Sequence, residues 1–224
     1  MNHLTESDMP TTATTSTTSD SGAATRTELI KAGRQLFSQS GFDGTSVRAI
    51  TSAAGANLGS VAYHFGSKRG LYAAALEECL RPMLARLRSA AQANGSGLDR
   101  MLLVVEAQFA HLGEHPDLPR LLLQEVAAGK QPPDVVLEII KEIKATIAGL
   151  HVQGVHDGSI RPGHPGLSAL SVVSQPIYMT LVAPLFMHFG DVDLTDPDTR
   201  TGVLTHITTF VRAGLELRAK AEGS

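Results

Sequence analysis

Tryptophan is absent from this chain, and seven Phe with three Tyr are its only other large rings, 4% of 224 residues. So few aromatics, set among abundant Ala and Leu, argue against a β-sandwich or barrel and for packed helices, an all-α protein. Cysteine is almost as scarce. The single Cys79 rules out an internal disulfide, and no basic-plus-apolar leader opens the sequence, so a cytoplasmic protein is expected. A long uninterrupted apolar run is lacking too. The nearest approach, residues 167–189, "LSALSVVSQPIYMTLVAPLFMHF", carries Ser, Gln and two prolines, which favours a buried helix pair over a membrane span.

Net charge is small, −3 with pI near 6.3, and taken whole gives no reason to expect a polyanionic partner. Its distribution does. Residues 26–76 hold Arg26, Lys31, Arg34, Arg48, Lys68 and Arg69 against only Glu28 and Asp43, a local basic excess of the kind that marks a nucleic-acid footprint.

Along the chain, residues 1–24 form a Thr/Ser tract with little to bury, expected to be a disordered tail. Thr25 and Glu28 make a T-x-x-E capping box before an apolar stripe of Leu29, Ile30, Gly33, Leu36 and Phe37. That first helix is expected to end near Gly41. A second, capped by Thr45, carries Val47, Ile50 and Ala54 and stops at Gly55; a third, capped by Asn57, runs through "LGSVAYHF". Two short helices around a glycine-containing turn are a helix-turn-helix, with the third helix as reader. A long fourth helix follows from Ser67 to about Gln92, kinked at Pro82. Further helices are expected over 98–113, 116–128, 133–155, 165–189 and 196–221, with Pro176 and Pro184 kinking or splitting the penultimate one.

A helix that enters the major groove needs small residues on its outer face and polar tips for phosphates and base edges. Leu58, Gly59, Ser60, Ala62 and Tyr63 are that face, while Val61 and Phe65 anchor inward. Lys68, at a helix N-terminus, suits a phosphate oxygen. Residues 26–72, with "F…GF.GTSVR.I", "AAGAN" and "YHF.SK..LY" in fixed order, resemble the N-terminal domain of the TetR family of bacterial transcriptional regulators. The resemblance implies DNA contacts from Thr45, Ser46 and Arg48, backbone contacts from Tyr63 and His64, and a phosphate held by Lys68. Where many members have tyrosine directly after the apolar anchor, this chain has Ala62, with Tyr63 one place later. Leu58 stands where a polar residue is usual, so base readout falls to Leu58, Ser60 and Arg48.

Residues 25–72 are thus the expected DNA-binding domain and 73–224 the expected ligand-binding and dimerisation domain. The resemblance further implies a pocket within the later helices and a homodimer formed by the last two. Met101, Val105, Phe109, Tyr178 and Met179 are its candidate apolar lining; Gln108, Gln124, Glu125 and Gln175 are candidate hydrogen-bonders. A lining of this kind suits a small lipophilic effector, and a two-fold dimer would place two readers about 34–36 Å apart on a near-palindromic operator. No nucleophile elbow, phosphate loop or dinucleotide-binding pattern occurs, so neither catalysis nor a cofactor is expected. One enzymatic pattern stands out. "HLGEH", His111–His115, fits H-x-x-E-H, in which two histidines bind zinc and the glutamate activates water. Gly113 within it and Pro116 after it mark instead a helix C-terminus, and no metal is expected. The reading is a repressor. Its rivals are an activator of the same family, a zinc peptidase built on His111, Glu114 and His115, and a helical protein-binding adaptor.

Overall fold

The computed structural model describes residues 17–190 and 192–217, and these form a bundle of α-helices. In chain order they are α1 Thr17–Gly44, α2 Val47–Ala53, α3 Ser60–Phe65, α4 Lys68–Ala91, α5 Gly97–Glu114, α6 Leu118–Ala127, α7 Asp134–Asp157, α8 Pro165–Met187 and α9 Pro197–Leu215. The helices expected from periodicity and from Gly and Pro breaks all have counterparts; their ends differ in instructive ways.

Residues 17–24, expected within the disordered tail, are the first turns of α1, while 1–16 lie outside the described residues. Thr25 therefore caps nothing. Its hydroxyl donates back to the Ser21 carbonyl at 2.9 Å, and Thr27 does the same to Ala23, the back-bonding that lets threonine sit inside a helix. At the other end, Gly41 takes φ +71° and turns the chain out of the regular helix. Thr45 does not cap α2 either. It is buried, and its hydroxyl is bonded back onto α1, 2.8 Å from the Gly41 carbonyl and 3.1 Å from that of Leu36. Ser46 takes over as cap, accepting from the Ala49 amide at 3.1 Å. Asn57 leaves its side chain out of α3, whose first residue, Ser60, donates its amide to the Asn57 carbonyl. The helix expected to be the reader is consequently only six residues long.

Leu29, Ile30 and Phe37 of α1 meet Ile50, Val61, Leu71, Tyr72 and Ala75 in a core that continues without a break into the larger body. α4 belongs to both parts: it packs on α1 and α3 at one end and on α5 and α7 at the other. It runs through Pro82, which faces solvent. Its start is fixed by contact with α3, since a Cβ on Gly70 would overlap the Phe65 carbonyl.

α8 is one continuous helix through Pro176 and Pro184, not the expected pair, and it alone among the described residues is long and apolar enough to cross a membrane. Nor is it mostly buried. Ala169, Val172, Pro176, Thr180 and Ala183 pack inward, whereas Leu167, Leu170, Tyr178 and Leu185 are exposed. α9 ends at Leu215, short of the expected Ala221, because the chain there turns extended and bridges to Ile160: Arg161 donates to the Leu215 carbonyl and Leu217 to that of Ser159. Residues 218–224 lie outside the described residues.

Gly70→Ala should cost about 1–3 kcal/mol by forcing α3 off α4, lowering the thermal midpoint by several degrees. Gly59→Ala, with no atom within 4 Å of the new Cβ, should leave the midpoint in place. Melting curves of the two variants, compared with the parent chain, check this.

Candidate nucleic-acid interface and effector cavities

The outer surface of α2, the following turn and α3 presents Ser46, Arg48, Leu58, Gly59 and Tyr63, all exposed, with Ser60 half-buried at the start of α3. Gly55, at φ +62°, makes the turn between the helices. Val61 is buried and Phe65 half-buried against the core, as the spacing required. Tyr63 is 84% exposed and Leu58 63%. His64 is half-buried, with its ring edge-on to Tyr63 at 4.8 Å and tilted to Phe65 at 6.1 Å. Arg26 of α1 lies over Phe65 at 5.3 Å and adds positive charge beside α3.

Two of the expected DNA contacts are placed elsewhere. Thr45 is buried, with its hydroxyl committed to α1. Lys68 points inward: its ammonium donates to the Phe42 carbonyl at 2.8 Å and the Thr45 carbonyl at 2.9 Å and sits 4.3 Å from the Phe42 ring. The corner between α1 and α2 has carbonyls that no amide reaches, and the lysine one residue into α4 is within range of two of them. Lys68 therefore clamps the corner to α4 and is not presented to a phosphate.

The candidate ligand residues do not gather around one cavity. Met101 and Val105 are closed into the core, and Gln108, fully buried, donates Nε2 to the Val173 carbonyl at 3.1 Å while its Oε1 finds no partner. Gln124 is 3.4 Å from the Ser38 carbonyl of α1, at the wrong end of the body for a pocket with the others. Tyr178 is exposed, Met179 half-buried against the core. The side chain of Glu125 is outside the described residues.

What the helices do enclose is different. A cavity of about 200 Å³ between the end of α5, α8 and the start of α9 is lined by Phe109, Leu112, Thr180, Ala183, Met187 and Leu194, with Arg200 in its wall. Arg200 packs 5.8 Å from the Phe109 ring and donates to the Ala110 carbonyl. A more open cleft of about 400 Å³ lies between the α7–α8 loop, α8 and α9, where Gln175, Arg161 and the exposed Phe210 surround the buried His151.

Beside the smaller cavity the α5–α6 turn makes a contact that periodicity cannot reveal. Arg34 of α1 forms a two-pronged ion pair with Asp117, its Nε donating to Oδ2 at 2.6 Å, and its Nη2 reaches His115 Nδ1 at 3.0 Å. A guanidinium can only donate, so Nδ1 of His115 is the acceptor. Burial, with Arg34 next in effect, pushes the His115 pKa below that of a free imidazole. His111, one turn earlier, is fully buried; burial, reinforced by His115 and Arg86, takes it down to about 4. Burial likewise lifts the Cys79 thiol to about 11, which leaves it protonated and inert.

A small basic head that projects a short helix from a larger helical body is the build of a helix-turn-helix regulator. Residues 29–75 match the model of the bacterial regulatory proteins of the tetR family. RutR of Escherichia coli strain K12, an HTH-type transcriptional regulator, is 29% identical over 155 residues, 68% of this chain and 72% of its own. A "Probable HTH-type transcriptional regulator" of Bacillus subtilis, YttP, is 29% identical over 125 residues; the alignment takes in 55% of this chain and only 57% of YttP. FadR from Bacillus subtilis, in complex with stearoyl-CoA, superposes with a TM-score of 0.67 at 16% identity over 84% of this chain and 98% of that one, a likeness of fold. Over residues 29–75 the chain is thus similar to the tetR family of bacterial regulatory proteins, and its whole fold is that of the solved regulators of this build.

Lys68→Ala, which strands two carbonyls and removes their charged donor, should destabilise the protein by about 1.5–3 kcal/mol. Urea unfolding measures it, and an unchanged midpoint would return Lys68 to the surface.

Proposed function

We propose that this chain is a homodimeric, ligand-responsive transcriptional regulator, a repressor that leaves a near-palindromic operator when a small lipophilic molecule binds. The observation that carries the reading is the ring of Tyr63, 84% exposed beside a Leu58 that is 63% exposed, on a head whose other aromatics are buried or half-buried. A fold has no packing reason to leave them there. A DNA groove supplies one, because Tyr63 offers a phosphate donor and Leu58 an apolar contact for a thymine methyl group. Ser46, Arg48, Gly59, Ser60 and His64 complete the contact set, with the tail before α1 left without an assigned role.

Dimerisation is supported by the apolar outer face of α8 and α9, where Leu170 is 64%, Phe210 58% and Tyr178 57% exposed. A cytoplasmic location and the absence of a membrane partner go with that reading, since a second copy then covers the apolar side of α8. The effector belongs in the cavity between α5, α8 and α9. At about 200 Å³ it is smaller than the roughly 300–1,000 Å³ of most ligand pockets, so entry must part α5 from α8. Leu112, Gly113 and Pro116 line it, and they flank the residues that hold Arg34. Filling the cavity therefore pulls on α1, and ligand and DNA weaken one another reciprocally, with a coupling of about 1–3 kcal/mol being enough for a switch. FadR's stearoyl-CoA is a precedent for a lipophilic ligand in this fold. Catalysis forms no part of the proposal.

Sequencing of genomic fragments captured by the purified protein at moderate salt should enrich one or a few palindromic sites. No enrichment over bulk DNA would bring forward the protein-binding adaptor. A reporter driven from the captured site should be silenced by the chain; stimulation would identify an activator. Gly59→Glu and Tyr63→Ala should both cut operator affinity, the first abolishing it by bringing charge and bulk into the groove, with melting curves unchanged. Leu170→Glu should turn the dimer into a monomer in sedimentation; a dimer that survives it is built on another face.

A further inference from the structure

The H-x-x-E-H pattern, set aside as a helix end, is brought together in space. The ligand atoms of His111, Glu114 and His115 all lie within 4.8 Å of one another, and the two imidazole centroids are 4.5 Å apart. His111 is fully buried with neither ring nitrogen in a hydrogen bond; the main-chain carbonyl of Cys79 lies nearby but outside bonding geometry. A buried imidazole without a partner is costly, and here its neighbours are two further metal-binding groups. We propose that His111, Glu114 and His115 form a site for a divalent transition-metal cation of the zinc class, and that its occupancy competes with the Arg34–His115 contact tying α1 to the α5–α6 turn.

Two imidazoles and one carboxylate are a recurrent zinc donor set, and its tetrahedral geometry needs ligand atoms about 3.3 Å apart. Side-chain rotation can close the remaining distance, since Glu114 is half exposed and held only by the surface pair with Arg86, which is worth little to keep. Both histidines are held in the neutral form that binds metal. The site occupies the C-terminal turn of α5, the negative end of the helix dipole, where a cation is favoured. Water can complete the coordination from the Glu114 side.

The competition follows from proton bookkeeping on His115. A metal on Nδ1 takes the lone pair that Arg34 now uses. A metal on Nε2 requires the proton on Nδ1, which then cannot accept from a guanidinium. Either way Arg34 loses His115 and keeps Asp117. The metal thus acts at the junction through which the effector is proposed to act, but the site stands on its own geometry and does not depend on the effector reading.

The test uses the full chain, stripped with a chelator and titrated with Co²⁺, whose tetrahedral sites absorb in the visible, and then with Zn²⁺. One equivalent per chain is expected, with zinc displacing cobalt. Glu114→Gln should weaken zinc at least tenfold and His115→Gln should abolish the cobalt band, with melting curves confirming that both fold. Arg34→Gln should tighten zinc several-fold, which a site elsewhere on the surface would not show. Absence of the band, or its survival in His115→Gln, overturns the site; affinity unchanged in Arg34→Gln overturns the competition.

Discussion

The Lys68 ammonium, held between the carbonyls of Phe42 and Thr45 and against the Phe42 ring, is the constraint on which the head depends. A helix end leaves carbonyls without amide partners. At the close of α1 some are met by the Thr45 hydroxyl, and the corner beyond it is met by Lys68, the first residue of α4. The corner in turn sets where α2 starts. With α3 pressed on Gly70 at the same end of α4, both short helices take their direction from one long helix. The scarce aromatics gather here as well: Phe37 stacks on Phe42, Tyr72 meets both edge-on, with centroids 5.1–5.9 Å apart, and the Tyr72 hydroxyl donates to the Leu121 carbonyl of α6. The orientation of the reading face is therefore a property of α4 and of whatever moves it.

Two kinds of contact connect that arrangement to the body. The first is apolar and continuous, the core that passes from α1 through Leu71, Ala75 and Leu76 to α5 and α7. The second is polar and local: the Tyr72 hydroxyl on the Leu121 carbonyl, Lys130 paired with Asp43, and, half-buried, Arg34 with Asp117 and His115. A packed core transmits displacement but offers no chemical handle. A half-buried guanidinium shared between a carboxylate and an imidazole does, because any group that claims the imidazole redistributes it. On the proposed functional reading, the α5–α6 turn is where the protein can be switched without repacking its core.

How much of this was legible in the sequence depended on the range of the interactions. Helix existence is set by local spacing and by Gly and Pro, and those signals placed every helix. The reader's inward and outward positions were legible for the same reason: Val61 and Phe65 against Tyr63 and Leu58 are one helical turn's worth of information. Caps were not. Thr45 and Ser46 are equally good caps by type, and the choice went to Ser46 because tertiary packing had given Thr45 two carbonyls to serve. Lys68 was misassigned on the same grounds, since a lysine at a helix start looks the same whether its target is a phosphate or a carbonyl 26 residues back in the chain. The pocket candidates divided differently, with Phe109 and Gln175 lining two separate cavities. Apolar helices show that they are buried somewhere but not which gaps lie between them, so Met101 and Val105 proved to be core, while Arg200 and the cavity beside it gave no sequence signal at all.

α8 shows most clearly what composition cannot decide. It is apolar on nearly every side, yet its fully buried row is mostly small, Ala169, Val172, Pro176, Thr180 and Ala183, with Val173, Ile177 and Met179 half-buried against the core beside it, while Leu167, Leu170, Tyr178 and Leu185 are exposed. Large side chains gain most from burial, at about 25 cal/mol per Å² of apolar area, and several of those on α8 remain in water. Small inward residues let α8 lie close against α5 and α7, with which it packs, and leave the larger hydrophobic contribution unclaimed on the outside. On the proposed dimer reading, a second copy buries that outer row. On the dimer reading, the monomer is then an incomplete fold whose remaining stability depends on protein concentration.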